Sequence, residues 1–472
     1  MPARPAPTLS SGLLILGSLV LSPLTHAQTL AIEFIDTAAS GQAMNGAGQV
    51  LGTRQVWPCG NPANCAPVFE TSVWRAGQRL VLGAPVGRIA DPHALGADGS
   101  VVGTVTDFNV NFAASRWVFD GTSYQRQDLG ALPGTTQSVA TGIDDSGRVV
   151  GWSITPFISQ KAFVWTSTGG LVDLATLGGP SDPPRGISPG GRVITNTLHY
   201  TLDQPASTTA LPAPPPGFRG PNGWEFRIND QGDLGGFLGD TTGSAPRYLF
   251  RWRAGLGQWQ QLSPLSNSTS TSNWGVGRID AAGGISATVR GAGLFAAGPD
   301  GLADSLSARL SVAYPDSSVL RAADHVGDSF LAQVGIGRAA RLVRLVPAAA
   351  CTSGCAKVQT LTMVGRFIND PNAPGSCTPK AKNKVSATLS VVDENGAALP
   401  NVRVQARYLD DYDLSTAVSG RTDAAGQVVF KHAGPACRGA ITLLVESVKA
   451  SGRRFDRTQG TLSGYVIPLP AQ

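Results

Sequence analysis

Seven copies of one short pattern lie between residues 44 and 329 of this 472-residue chain. Each copy has an apolar residue, then Asn, Asp or Ser (Gly once), two variable residues, Gly, one more residue, and in most copies an aliphatic one. They occupy 44–50, 95–101, 143–149, 187–193, 228–234, 279–285 and, in degenerate form, 323–329. The turn glycines Gly48, Gly99, Gly147, Gly191, Gly232, Gly283 and Gly327 are separated by 51, 48, 44, 41, 51 and 44 residues. Self-similarity at such a period marks a repeat architecture. The side chains of Asn45, Asp144, Ser188, Asn229 and Asp280 can hydrogen-bond to backbone just ahead. The Gly three residues later accepts positive φ without steric cost, so each copy reads as a tight turn between antiparallel strands.

An aromatic-centred strand follows several copies, at Ser72-Val73-Trp74, Trp117-Val118-Phe119, Ala162-Phe163-Val164-Trp165 and Leu249-Phe250-Arg251-Trp252. A short strand and a Gly or Pro turn come next. In the third repeat the strands read 137–143, 148–154, 161–167 and 171–176. Four strands per unit, at this period, is the size of a β-propeller blade. The expected fold class is all-β, a seven-bladed propeller of four-stranded antiparallel blades, with six or eight as alternatives because repeats four and six are worn. Phe34 to Thr37 reads as a fourth strand with no first three. The last unit has three strand-like runs, near 318–323, 329–334 and 340–346. The first strand of the mature chain is therefore expected to complete the last blade and remove an open edge.

The stretch Gly142-Ile143-Asp144-Asp145-Ser146-Gly147-Arg148-Val149-Val150-Gly151, with Lys161-Ala162-Phe163-Val164-Trp165 and Asp173-Leu174-Ala175-Thr176-Leu177-Gly178-Gly179, resembles bacterial extracellular HAF repeats. Lys161 stands where that family has its His. The match is good in repeat three, fair in one, two and five, and weak elsewhere. The resemblance implies an exported propeller-like repeat and no shared catalytic mechanism.

The periodicity ends near Val346. Beyond it, Ser386–Val392, Asn401–Tyr408, Gln427–Phe430 and Ala440–Val445 are β-rich, with turns at Asp393-Glu394-Asn395-Gly396 and Asp423-Ala424-Ala425-Gly426. Such alternation predicts a small antiparallel sandwich, and the order of its motifs is similar to bacterial Ig-like modules. The expected division is 1–27 signal peptide, 28–347 propeller, 348–356 linker and 357–472 sandwich.

Arg4, the apolar run Gly12–Ser22 and the small residues before Gln28 form a secretory signal peptide cut near Ala27. The apolar run is shorter than the roughly twenty residues a spanning helix needs. Six cysteines suit an oxidising compartment. Cys59 and Cys65 are expected to pair. Among Cys351, Cys355, Cys377 and Cys437 three pairings are open, and Cys351–Cys355 with Cys377–Cys437 is favoured. A zinc site needs other spacings and more than the five His present.

Gly186-Ile187-Ser188-Pro189-Gly190 matches a nucleophile elbow, but Ser188 holds the repeat's turn position. Gly327-Asp328-Ser329, the opening of one esterase class, also falls in a turn. Asp144-Asp145 and Asn229-Asp230 supply too few oxygens for a calcium loop. Trp74, Phe119, Trp165 and Trp252 are expected to pack between blades, whereas Trp57, Trp224, Trp259 and Trp274 fall near loops where a ligand could touch them. Pro212–Gly217 and 266–273 read as exposed insertions. No catalytic, cofactor-binding or metal-binding residue is nominated, and no cofactor is expected.

Charge is uneven. Residues 351–472 hold 14 Lys and Arg against 9 Asp and Glu, so the net +5 of the chain resides there. That excess suits an anionic surface. Nucleic acid is not an expected partner, because no aromatic-basic platform exists. These readings lead to a secreted, monomeric, non-enzymatic binding or scaffold protein, whose propeller face holds an extracellular ligand such as cell-surface polysaccharide or protein. The alternatives are a glycan lyase or hydrolase with its site on the propeller axis, and a structural or adhesin component. The enzyme would need carboxylates, or a His with a carboxylate, meeting at one mouth of the channel. Asp98, His93 and Asp240 are one such set.

Overall fold

The computed structural model describes residues 30–37, 39–56, 68–107, 111–154, 160–219, 226–239, 248–263, 275–289, 293–298, 303–306, 319–334, 341–348, 351–372, 380–410, 415–435, 441–456 and 460–466. The expected signal peptide and the cysteines Cys59, Cys65, Cys377 and Cys437 lie outside them, as do Trp57, Trp224, Trp274, Asp240 and residues 266–273.

The described chain is all-β. Its helical content is one 3-10 turn, Leu174–Leu177, and its strands form nine four-stranded sheets, antiparallel but for one short parallel pairing. Six sheets are each built from four consecutive strands. A seventh joins Val319–Val326, Ser329–Val334 and Arg341–Pro347 to the first strand of the chain, Leu30–Thr37. In that pairing Glu33 faces Arg344 and Thr37 faces Arg341. The register is fixed by alternation: Leu30 is fully buried with Phe330, Val343 and Leu345.

The leading strands of these sheets are Ala39–Met44, Ile89–Leu95, Gln137–Ile143, Gly186–Ile187, Phe226–Ile228, Gly275–Ile279 and Val319–Val326. Each leading strand packs against the next, and Val319–Val326 packs back on Ala39–Met44. The turns of the repeat carry this contact. Asn45 Nδ2 donates to the Gly96 carbonyl at 3.0 Å. The Asp145 N–H donates to Pro189 at 2.9 Å, Gly190 N–H to Asp230 at 2.7 Å, and Asn229 Nδ2 to the Asp280 carbonyl at 2.8 Å. The repeat therefore caps its own turn and reaches its neighbour. Within the third turn, Asp144 Oδ1 accepts from the Ser146 and Arg148 N–H groups, and Gly147 sits at φ 80°.

A second glycine has a different task. Gly52, Gly103 and Gly151 face a bulge on the leading strand, where the register slips at Gly41/Ala43, Pro92/Ala94 and Ala140/Gly142. A Cβ at Gly151 would lie 2.0 Å from the Val139 carbonyl. Only glycine lets the two strands close over the extra residue.

Three expectations need correction. The fourth strand of repeat three is Gly170–Asp173, after which Asp173 caps the 3-10 turn. The aromatic position equivalent to Trp74 and Trp165 is Trp117, not Phe119: Val50, Val101 and Val149 face Trp74, Trp117 and Trp165. In the last repeat Asp324 is not the turn residue. It lies within Val319–Val326, and the hairpin turns at Gly327-Asp328 between Val326 and Ser329.

After Pro347, Cys351 and Cys355 are joined, with Cα atoms 5.9 Å apart. Two further four-stranded sheets then face each other. One contains Cys355–Ile368, Lys382–Val392 and Gln427–Pro435; the other contains Arg403–Asp410, Ser415–Arg421 and Ile441–Lys449. Val385, Ala387 and Leu389 of the first meet Val404, Ala406, Leu443 and Val445 of the second in one core.

Candidate functional site

The inner turns bring charged side chains from sheets that are not neighbours to a common mouth. Asp145, on the third turn, is exposed. Burial of its surroundings, and then the charge of Asp230 from the fifth sheet, raise its pKa, while Arg278 of the sixth sheet opposes them. The turn between them carries the approach: Asp145 N–H donates to Pro189 at 2.9 Å and Gly190 N–H to Asp230 Oδ1 at 2.7 Å, so the third and fifth turns flank the fourth. Asp230 is also exposed at its side of the mouth, with Oδ1 accepting from Gly190.

Arg278 is fixed from behind. Its Nε lies 3.0 Å from Asp324 Oδ1, and its Nη2 donates to Asp324 Oδ2 at 3.0 Å and to the Met44 carbonyl at 3.2 Å. Asp324 Oδ2 also accepts from Met44 N–H at 2.9 Å and Oδ1 from His325 N–H at 2.8 Å. A two-pronged Arg–carboxylate pair of this kind holds its geometry well. It ties the sixth, seventh and first sheets together.

Deeper along the leading strands lie His93 and Arg227. His93 Nδ1 donates to the Ala140 carbonyl at 2.6 Å, and its Nε2 lies 3.4 Å from Asp91 Oδ2. Burial works against its charge, but the Asp91 carboxylate and the Ala140 carbonyl outweigh it and raise the pKa. Arg227 is exposed to solvent yet enclosed enough that desolvation lowers its pKa, against the opposing charge of Asp324. Of the set Asp98, His93 and Asp240, the described members do not meet as a site. Asp98 turns to Ser100 and Arg116, with Arg116 Nη2 at 3.0 Å, while His93 takes Asp91 instead.

A Ser–His–Asp alignment also exists at the seam of sheets six and seven. Ser286 Oγ and His325 Nδ1 are 2.8 Å apart, and His325 Nε2 is 3.6 Å from Asp280 Oδ2. Both Ser286 and His325 are fully buried, so no substrate can approach the hydroxyl. Burial works against the Asp280 charge, but His325 and the backbone N–H groups of the turn hold its pKa below the usual value. The alignment is a buried strut. Ser188 is likewise buried, its Oγ accepting from Arg192 N–H at 2.9 Å as a turn cap. Among the described residues no group of three His, Cys, Asp or Glu is placed to hold a metal ion.

The sequence pointed to turn capping for Asp144, and its oxygens are taken by turn N–H groups and by Arg148 Nε at 2.6 Å. Asp145 and Asp230 were read only as neighbours in those turns. Their position two residues before the turn glycine was the available signal, since in the third and fifth copies that residue lies exposed in the turn.

No protein-family model matches the chain, and no curated protein sequence matches it. Solved structures of similar shape include a prolyl endopeptidase, at 12% identity, TM-score 0.43, covering 79% of this chain and 55% of that one. The GH74 xyloglucanase of Xanthomonas campestris matches at 13% identity and TM-score 0.41, covering 93% and 68%. The extracellular domain of a one-component system from B. thetaiotaomicron matches at 11% identity and TM-score 0.36, covering 95% and 60%. The chain thus spans little more than half the length of the first and third. The likeness is one of fold alone, and two of the neighbours are extracellular domains of bacterial proteins. The expectation of a non-enzymatic binding or scaffold protein is corrected here: the neighbours are mostly enzymes, gluconolactonases and a puromycin hydrolase among them. At these identities none of their substrates carries over to this chain.

Proposed function

We propose that this chain is an exported enzyme that cleaves glycans by acid–base chemistry at the mouth where the inner turns of a seven-bladed propeller converge. The observation that carries this reading is that the Asp145 and Asp230 turns flank Pro189-Gly190, bonded to it at 2.9 and 2.7 Å, with the Asp145 pKa raised by burial and by the Asp230 charge. Paired carboxyls in unlike environments divide acid and base roles. Asp145, which keeps its proton to higher pH, protonates the glycosidic oxygen. Asp230 takes the proton from the attacking water, and Arg278 steadies negative charge as it develops. The blade count is supported by the seven sheets whose leading strands contact one another in turn. The division at 28–347, 348–356 and 357–472, with an Ig-like second domain, is supported by the change of pairing after Pro347. Export is supported by residues 1–27 of the sequence, and among the described residues no helix is long and apolar enough to cross a membrane.

The test is release of reducing ends from a panel of neutral and acidic polysaccharides by wild type, Asp145→Asn and Asp230→Asn. Each substitution is expected to reduce turnover by about 10²–10⁴-fold, the range for loss of a general acid or base. Turnover in Asp145→Asn equal to wild type contradicts the assignment.

A further inference from the structure

Among the described residues, the outward face of the first C-terminal sheet is exposed, cationic and free of acidic side chains. Cross-strand pairing aligns Ile368 with Lys382 and Pro435, Arg366 with Lys384 and Ala433, and Val364 with Ser386 and Lys431. Two further rows carry Thr362, Thr388 and Val429, then Thr360, Ser390 and Gln427. Arg366, Lys382, Lys384 and Lys431 are all exposed, and among the described residues none of them has a carboxylate partner. Asp370, just beyond the strand, is buried and accepts from Asn372 N–H.

Neighbouring strands lie about 4.8 Å apart and alternate residues about 6.7 Å apart along a strand. Four cations thus sit within one or two side-chain widths of each other. Like charges directly opposite, as in Arg366 and Lys384, weaken a sheet unless an anion lies over them. On the other sheet of this domain the like-charge contact is confined to one row, Arg421, Arg403 and Lys449, where Arg421 is bonded to Asn401 at 2.9 Å, and Arg407 is bonded to Glu446 at 2.6 Å.

We propose that this face binds an anionic polysaccharide. Arg366, Lys382, Lys384 and Lys431 meet its carboxylates, and the Thr360, Thr362, Thr388 and Ser390 hydroxyls meet its sugar hydroxyls. Among the described residues no aromatic side chain lies on the face, so they offer no stacking platform for nucleic acid bases. The inference goes beyond the axial reading and depends on none of its residues.

The test is affinity electrophoresis of the chain lacking residues 1–27 through gels containing polygalacturonate, dextran or no polymer, with phosphatidylserine vesicle flotation in parallel. Wild type is expected to be retarded by polygalacturonate alone, less so as salt rises. Arg366→Ser/Lys384→Ser should lose roughly tenfold or more in affinity, taking each cation at an anionic surface as worth about a factor of five. Arg403→Ser/Lys449→Ser removes two exposed cations that face each other on the other sheet and should bind like wild type. Equal loss in the two double variants reduces the effect to net charge and overturns the proposal. Absence of retardation overturns it too, as does capture by vesicles without retardation by polygalacturonate. Asp145→Asn is expected to bind normally, which separates failure here from failure of the axial assignment.

Discussion

Asp324 is buried and makes two contacts with the Arg278 guanidinium, and it accepts N–H groups from Met44 and His325. Removing its carboxylate leaves a partly buried guanidinium and two backbone donors without their acceptor. Breaking a buried pair in this way costs about 3–5 kcal/mol. Asp203, by contrast, is 74% exposed where it meets Arg148, and a surface pair is worth about 0–1 kcal/mol. Asp324→Ala is therefore expected to shift the urea unfolding midpoint strongly downward, and Asp203→Ala hardly at all. Equal shifts would show that Asp324 is not the tie between the sixth, seventh and first sheets. The sequence misplaced this residue because Asp324 to Gly327 matches the turn spacing of the other copies. Gly327-Asp328 makes a tighter hairpin one step later, which returns Asp324 to the strand and frees its carboxylate to face the neighbours.

Among the elements, turns were legible and inter-strand registers were not. Gly147 and Gly191 announce their turns through a backbone requirement that glycine alone meets cheaply. Whether Trp117 or Phe119 faces Val101 depends on a two-residue shift that hydrophobicity does not resolve, because both are large and aromatic. The bulges opposite Gly52, Gly103 and Gly151 went unread for a related reason: the sequence shows the glycine but not the carbonyl it must accommodate. A turn in the C-terminal domain gives a pH-dependent prediction. The Glu394 pKa is lowered to about 2, by its own backbone N–H, then by those of Cys355 and Gly354, with Arg453 assisting. Glu394 thereby fastens the Asp393–Gly396 turn to the Cys351–Cys355 loop, at 3.0 Å to each N–H. A depressed folded-state value stabilises above the unfolded value of 4.5 and is lost as pH falls towards about 2. Thermal melts of wild type should fall more steeply through that window than those of Glu394→Gln. Parallel curves would mean the contact contributes nothing.

For the molecule as a whole, the sequence revealed the repeat and the pairing of its two ends, because a period near 46 residues and an unpartnered strand leave few other arrangements. It could not reveal the proposed axial site. Asp145, Asp230 and Arg278 are far apart in the chain and lie in copies that look alike, and only curvature of the whole set brings them together. The same curvature distinguishes a wheel from a linear stack, in which Val319–Val326 would not pack back on Ala39–Met44. The measurement that tests this most directly is a carbon-detected NMR titration of the Asp145 carboxyl in wild type and in Asp230→Asn. A closed wheel predicts a midpoint above that of an unperturbed aspartate in wild type and a lower one once the Asp230 charge is gone. An Asp145 midpoint that is ordinary in wild type and unmoved by the substitution would contradict the shared mouth, and with it the chemistry assigned there.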